Sequence, residues 1–418
     1  MSTPIPTLEA FVEDARSWLD AHAERAVDDV EQKVVWGQGE FSVAVFHALD
    51  ADDERELIQR AQRWTQTKAE RGFHAIAAPV ADGGLGYPRS YALAFARLER
   101  EYARPAGHET HSVTTRLIAP TIRACGTATQ REDFVPRFLA ARELCCQLFS
   151  EPGAGSDLAS LACRATRDGD EWVINGQKVW SSGAQFSEWG ELIARSDPDV
   201  PKHKGMTAFI VPMDLPGIEV RPIKQMSGGS SFNEVFFSDV RVPDSMRLGD
   251  EGDGWRVALT TLGFERDHSE SAGSRVGGGW QQVLATARAM GQTADPVTRQ
   301  MLARSYTHER IESFVNRRAS DLARGGTPGP EGSLGKLLWT NGLTLNADVI
   351  SRILGAALVA DTGEWGTFAW GEHVLGAPGY RIAGGSDEVQ RNIIGERVLG
   401  LPPEPRVDKD VAFKDVPR

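Results

Sequence analysis

The sequence predicts an α+β fold in three blocks: helical, then antiparallel β, then helical again. Up to about residue 145 apolar residues recur at helical spacing. Between about 146 and 245 the period changes, and Asp-Gly, Asn-Gly and Pro-Gly pairs cut the chain into short β-branched and aromatic runs. Beyond Pro243 the helical period returns and holds to about residue 400. A chain of 418 residues is long enough to bury a large core and to hold more than one domain-sized unit.

In the first block, Phe11, Ala15, Trp18 and Leu19 define one helical stripe and Leu57, Ala61 and Trp64 another. Ser90 to Tyr102 reads as a third helix, ending near Pro105. In the second block, Glu171 to Val173, Thr207 to Val211, Ile218 to Ile223 and Glu234 to Phe237 read as strands of an antiparallel sheet or small barrel. In the third, the GGTPGPEG run, Gly325 to Gly332, interrupts the helices.

Charge and cysteine usage narrow the function. A net charge of −12 disfavours general nucleic-acid binding, though a local basic pocket for one nucleotide-bearing ligand is compatible with it. Cys125, Cys145, Cys146 and Cys163 are too few and too irregularly spaced for a disulfide scaffold, and Cys145 and Cys146 would face opposite sides of a strand. The N-terminus lacks the basic and apolar blocks of a signal peptide, no apolar run is long enough to span a bilayer, and a cytoplasmic location is expected. A GxGxxG turn within a βαβ unit and a GxxxxGK[ST] element are both absent, which excludes the corresponding nucleotide sites. His108 and His111 have metal-compatible spacing but no third ligand cluster, so they are read as a solvated helix face.

Two segments carry the chemistry. Gln147 to Asp157, QLFSEPGAGSD, is rich in Ser and Gly, which lets the backbone approach a ligand with hydroxyl and N–H groups directed at it. EWVINGQKVWSSGA, starting at Glu171, reads as a hairpin turning at Asn175-Gly176, with Trp180, Ser181 and Ser182 at its outgoing end. An aromatic followed by two hydroxyls suits a flat heterocycle with polar edge atoms, such as a flavin.

In this order and spacing the two segments resemble the acyl-CoA dehydrogenase family. APVADGGLGYP (from Ala78), APTIRACGTATQREDFVPRFL (from Ala119), FNEVFFSDVRVP (from Phe232), GWRVALTTLGFER (from Gly254) and GGSDEVQRNIIGERVLGLP (from Gly384) extend the likeness over most of the chain. The resemblance implies an N-terminal helical domain (1–145), a middle β-domain (146–245) and a C-terminal four-helix bundle domain (246–418). It implies FAD as cofactor, held by Gln147, Phe149, Ser150, Gly155 and Ser156, by Trp180 and Ser182, and by Ser386, Glu388 and Gln390 on the adenosine side. Ser150 and Ser182 could donate to N5 and O4 of the ring. The family's cross-subunit contacts are altered: its Arg-x-x-Phe-Gly motif is missing around Asp295 to Leu302, and its Gln before two glycines corresponds to Arg352-Ile-Leu-Gly355-Ala356. Arg352 could still pair with a diphosphate.

The family's usual catalytic Glu corresponds to Gly384, which has no proton acceptor. A second arrangement known in the family puts the base on the long helix after the sheet, before an Arg, which here implies Glu265 as base and Arg266 as its orienting partner. The alternative is a purely structural Glu265-Arg266 pair. Asp267, Glu270, His268, Asp387 and Glu388 are weaker candidates. The implied reaction is α,β-dehydrogenation of an acyl thioester, with electrons passed to an electron-transfer flavoprotein. The implied assembly is a homodimer or homotetramer, or a heteromer with a related subunit. A half-site subunit without its own chemistry and a flavin monooxygenase on the same fold are the other readings. Gly277, Gly278 and Gly279 either leave room for a branched or cyclic acyl group or serve helix packing.

Overall fold

The computed structural model describes residues 4–26, 43–46, 48–265, 276–322, 329–360, 369–406 and 408–416. Helical spacing is realised first in α1 (Leu8–His22), whose Phe11, Ala15, Trp18 and Leu19 are all buried. Then come α2 (Ala51–Ala69), α3 (Arg89–Glu99), the short α4 (Glu109–Ser112), α5 (Ala119–Cys125) and α6 (Ala128–Leu139). Rings of Phe11, Trp18, Phe73 and Phe95 form a core between α1 and α3. Helix α6 starts at a capping box, Thr127 accepting from Gln130 N while Gln130 Oε1 accepts from Thr127 N, so two otherwise unpaired N–H groups are satisfied reciprocally.

The middle of the chain forms β1 (Cys145–Leu148), β2 (Arg164–Asp168), β3 (Glu171–Lys178), β4 (Trp189–Arg195), β5 (Met206–Pro212), β6 (Ile218–Ile223), β7 (Phe232–Pro243) and β8 (Arg247–Leu248). They make one sheet in the order β6-β7-β3-β2-β4-β5-β8, with β1 on β4. Most pairings are antiparallel, as the turn spacing predicts, but β1 and β2 each run parallel to β4. Cys145 and Cys146 do face opposite sides: one packs among the helices, the other between strands, and both are buried thiols.

The Asn175-Gly176 pair is not a hairpin turn. Strand β3 runs straight through it, with a bulge against β7 between Ile174 and Gly176. The reversal comes earlier, at Gly169 (φ 64°), between β2 and β3. The pairing explains why: Gly176, at φ 151°, lies so close to Cys163 that a Cβ there would meet Cys163 Cα at 2.7 Å. This glycine serves a close strand approach, a role local sequence cannot distinguish from a turn.

The final helices are α7 (Gly254–Glu265), α8 (Trp280–Ala289), α9 (Pro296–Leu322), α10 (Gly332–Leu354), α11 (Ala369–Tyr380) and α12 (Asp387–Ile393). Helix α10 is the axis against which α8, α9 and α11 pack, giving a four-helix bundle, and α12 also lies on it. Gly277 and Gly278 serve this packing. A Cβ on Gly277 would meet Leu343 at 2.7 Å and His373 at 2.9 Å, and one on Gly278 would overlap the Trp370 ring. Among the described residues no helix is long and apolar enough to cross a membrane.

Candidate active site

The Ser/Gly-rich loop is locked by an ion pair. Lys178 is fully buried at the end of β3 and donates to Glu151 Oε1 (2.8 Å) and to the Phe149 carbonyl (3.0 Å). Glu151 also accepts from the N–H groups of Ala162 (2.7 Å) and Cys163 (2.9 Å). Its carboxylate therefore shapes the loop. The second segment is tied on by Val179 N donating to Ser150 O (2.9 Å), which places Ser150 beside the Trp180-Ser181-Ser182 run.

Trp180 adopts φ 62°, rare for a bulky residue, and is 59% exposed as a residue. Ser181 N donating to Asn233 O (3.1 Å) and Gly183 N donating to Ser231 O (2.9 Å) hold that backbone. Strain of this kind persists where surrounding bonds over-determine it, and it presents an aromatic face to open space. Gln147 Nε2 and Ser181 Oγ are buried without a protein partner, and a Cβ on Gly153 or Gly155 would meet nothing within 4 Å. An exposed ring, unsatisfied donors and an open glycine-lined wall fit a flavin's flat body and polar edges.

Glu265 ends the described part of α7 and is half-buried. Its Oε1 lies 3.1 Å from where a Cβ on Gly384 would stand. Gly384 has φ 65° and Gly385 φ 82°, a left-handed pair that suits glycine. The Glu265 carboxylate thus reaches the place where a side chain at position 384 would begin. Arg266, Asp267, His268 and Glu270 lie outside the described residues. The buried Lys336 ammonium donates to Tyr380 O (2.8 Å) and Gly385 O (2.7 Å), closing the turn beneath Gly384. Burial lowers its pKa, opposed by the carboxylates of Asp387, Glu265 and Glu388.

Asp387 is no substitute base. Buried at the start of α12, it accepts from Arg381 Nε (2.8 Å) and Thr340 Oγ1 (3.0 Å). Glu388 is exposed and lies 3.6 Å from Arg391. Ser386 caps α12, and Gln390 donates to the carbonyls of Gly384 (3.0 Å) and Gly385 (3.3 Å). Arg352 is exposed beside Asp295 (3.6 Å). Sixteen residues of α10 separate it from Lys336, about 24 Å at 1.5 Å per residue, so it is remote from Glu265 within one chain.

Ser156 follows Gly155 at the end of the Ser/Gly-rich loop. With Asp157 it lines a cavity of about 310 Å³ that also holds Lys202, His203, Trp255 and Arg406. Lys202 bridges Asp157 (2.9 Å) and Asp408 (2.7 Å).

His108 and His111 are not a solvated face. His108 is buried, 2.9 Å from Glu54 Oε1, and its Nδ1 accepts from Thr110 N (3.2 Å). His111 Nε2 is 2.9 Å from Thr65 Oγ1, and burial pushes its pKa down to about 4. Their partners sit on a distant helix, α2, which helical spacing alone cannot reveal. No group of three His, Cys, Asp or Glu side chains among the described residues is placed to hold a metal.

Two groups escaped sequence reasoning. Glu109, at the start of α4, has a carboxyl pKa raised by the surrounding protein, opposed by His108 and by the nearby Ser182 hydroxyl. Tyr380, at the end of α11, has a pKa raised by burial and then by the charges of Glu109 and Glu265. Neither stands in a recognisable motif; only the tertiary fold brings them to Glu265 and Ser182.

A glycine-lined wall that fits a flavin, together with a carboxylate held against Gly384, points to a flavin-dependent dehydrogenase. The comparisons identify which. The chain matches the acyl-CoA dehydrogenase N-terminal domain over residues 6–142, the middle domain over 146–240 and the C-terminal domain over 252–399. It is 38% identical over 355 residues to acyl-CoA dehydrogenase IpdE1 of Mycobacterium tuberculosis, covering 84% of this chain and 90% of that protein. It is 37% identical over 364 residues to IpdE1 of Mycolicibacterium smegmatis, covering 84% and 91%. Among solved structures, the Tcur3481-Tcur3483 steroid ACAD aligns with TM-score 0.71 and 26% identity, covering 97% of this chain and 100% of that one. The ChsE4-ChsE5 complex from Mycobacterium tuberculosis aligns with TM-score 0.70 and 26% identity, again covering 97% and 100%. The chain belongs to the acyl-CoA dehydrogenase family. It is an FAD-dependent oxidoreductase that dehydrogenates an acyl thioester.

Proposed function

We propose that Glu265 is the base of this dehydrogenase and that Gly384 is glycine to leave that carboxylate its place. The reaction removes the α-hydrogen as a proton and the β-hydrogen as a hydride, leaving a trans-2-enoyl thioester. FAD supplies the hydride acceptor at its N5. Glu265 takes the α-proton on Oε1, the oxygen next to Gly384, while Lys336 fixes the turn that positions the two. Arg266 is assigned as its orienting partner from its place in the chain. Gln147, Phe149, Ser150, Gly155, Trp180 and Ser182 hold the ring; Ser386, Glu388 and Gln390 serve the adenosine half. The approach of Glu265 to Gly384 carries the proposal.

The cavity around Ser156, Lys202, His203 and Arg406 suits the phosphates of coenzyme A. Trp255 on its wall and Glu265 are ten residues apart on α7, about 15 Å. That is the scale of a pantetheine arm, so a thioester could reach the base while its nucleotide stays in the cavity.

The steroid ACAD and ChsE4-ChsE5 likenesses support a bulky ring-bearing acyl group and a heteromer with a related, unlike subunit. Arg352, too remote for its own chain's chamber, is free in reach to serve a neighbouring subunit's cofactor. An electron-transfer flavoprotein is the expected oxidant and the cytoplasm the expected location.

Anaerobic mixing of purified holoprotein with straight-chain, branched and ring-bearing acyl-CoA thioesters tests this. Bleaching of the flavin near 450 nm, about a hundredfold faster with ring substrates, is expected for a pocket selective by a few kcal/mol. Equal rates across the panel contradict ring selectivity; bleaching only after an unlike subunit is added supports the heteromer.

A further inference from the structure

The match to the family's C-terminal domain stops at residue 399, yet the chain runs on and returns to the middle β-domain. Ala412 pairs with Pro201 in an antiparallel bridge, Phe413 N donates to Val200 O (2.9 Å) and Lys414 N to Pro198 O (3.0 Å). The Phe413 ring is buried there, with the Arg195 guanidinium 3.9 Å from its centroid. Arg195, itself buried at the end of β4, donates to the carbonyls of Ala159 (2.6 Å), Leu161 (3.2 Å) and Lys202 (2.6 Å). One tail aromatic therefore rests on the cation that ties the stretch after Asp157 to the loop carrying Lys202. The same tail walls the cavity beside them, through Arg406, Asp408 and Lys409. Lys202, nine-tenths buried, is held on that wall between Asp157 (2.9 Å) and the tail's Asp408 (2.7 Å).

We infer that this tail, Arg406 with residues 408–416, is a specificity element that makes the cavity select thioesters whose pantetheine arm carries phosphate, as coenzyme A does. This rests on the reading of the cavity as the coenzyme A phosphate site. Charge carries the argument. Without the tail the cavity wall has Lys202 and Asp157, which cancel; the tail adds two cations, Arg406 and Lys409, and one carboxylate, Asp408. The net positive charge that attracts a phosphate is thus the tail's own. Asp408 is engaged with Lys202, so it anchors a cation on the wall. Arg406 offers a planar fork of donors suited to phosphate oxygens. His203 adds no charge near neutral pH, because burial and then Lys202 and Arg406 lower its pKa.

Anaerobic flavin reduction of the holoprotein tests this with two thioesters of one acyl group, the coenzyme A ester and the pantetheine ester. The quantity read is the ratio of their second-order reduction rate constants, which should lie well above one in the wild type. In Arg406→Gln/Lys409→Gln that ratio should fall at least about tenfold, as expected for lost charge-assisted hydrogen bonds. Phe413→Ala, which removes the anchor and no charge, should lower the ratio in the same direction. Phe413→Tyr, which keeps a ring against Arg195, should hold it near the wild-type value. A wild-type ratio in folded Arg406→Gln/Lys409→Gln overturns the inference and leaves the coenzyme A reading of the cavity standing. A ratio near one in the wild type itself contradicts that reading, and the inference with it.

Discussion

Glu265 Oε1 lies 3.1 Å from where a Cβ on Gly384 would stand, and Gly384 itself is left-handed at φ 65°. The two positions, 119 residues apart in the chain, compete for one volume. Helix α7 supplies the carboxylate, and the turn before α12 leaves it room.

Gly384→Ala should therefore be costly twice. A left-handed alanine loses about 1–2 kcal/mol of stability, and its methyl presses the carboxylate off its position. A lowered melting temperature with flavin reduction slowed at least tenfold is expected, measured by thermal unfolding and anaerobic stopped-flow. Wild-type reduction kinetics in this variant would show that the contact is immaterial to the base.

Lys178→Met leaves Glu151 buried without its cation. Breaking one side of a buried pair costs about 3–5 kcal/mol, and here the damage falls on the loop that carries Ser150. The variant should purify with a reduced flavin-to-protein absorbance ratio, while Lys178→Met/Glu151→Gln recovers part of the loss. Full flavin content in Lys178→Met would remove this pair from cofactor binding.

Glu191 provides a pH signature. It is fully buried on β4, with Oε1 accepting from Thr261 Oγ1 (2.7 Å) on α7 and Oε2 without a partner. Burial pushes its pKa from 4.5 up to about 8. Its folded-state pKa is raised, so the unfolded chain releases this proton first as pH increases. The contribution is fully favourable below about pH 4.5 and is lost progressively toward pH 8, at about 1.4 kcal/mol per pH unit. Glu191→Gln should flatten the fall in melting temperature between pH 5 and 8; an identical slope in both proteins contradicts a neutral Glu191.

Much of the fold was legible because its signals are local. The stripe Phe11, Ala15, Trp18 and Leu19 needs only helical spacing, and the change of period near residue 146 marks the sheet. Ser150, Trp180 and Ser182 were legible because a resemblance carried them. Asn175-Gly176 misled because a glycine required for close strand packing looks the same as one required for a turn. The partner of His108 is Glu54 and that of His111 is Thr65, each about fifty residues away in the chain. Such pairings are made by tertiary packing and leave no periodic trace.

The central claim is tested most directly by Glu265→Gln. The variant is expected to bind FAD as the wild type does, because Gln keeps the volume and polarity of the Glu265 side chain. Mixed anaerobically with a thioester that bleaches the wild type, it should leave the flavin oxidised, with the reduction rate down by at least a thousandfold. Unchanged bleaching would contradict Glu265 as the base.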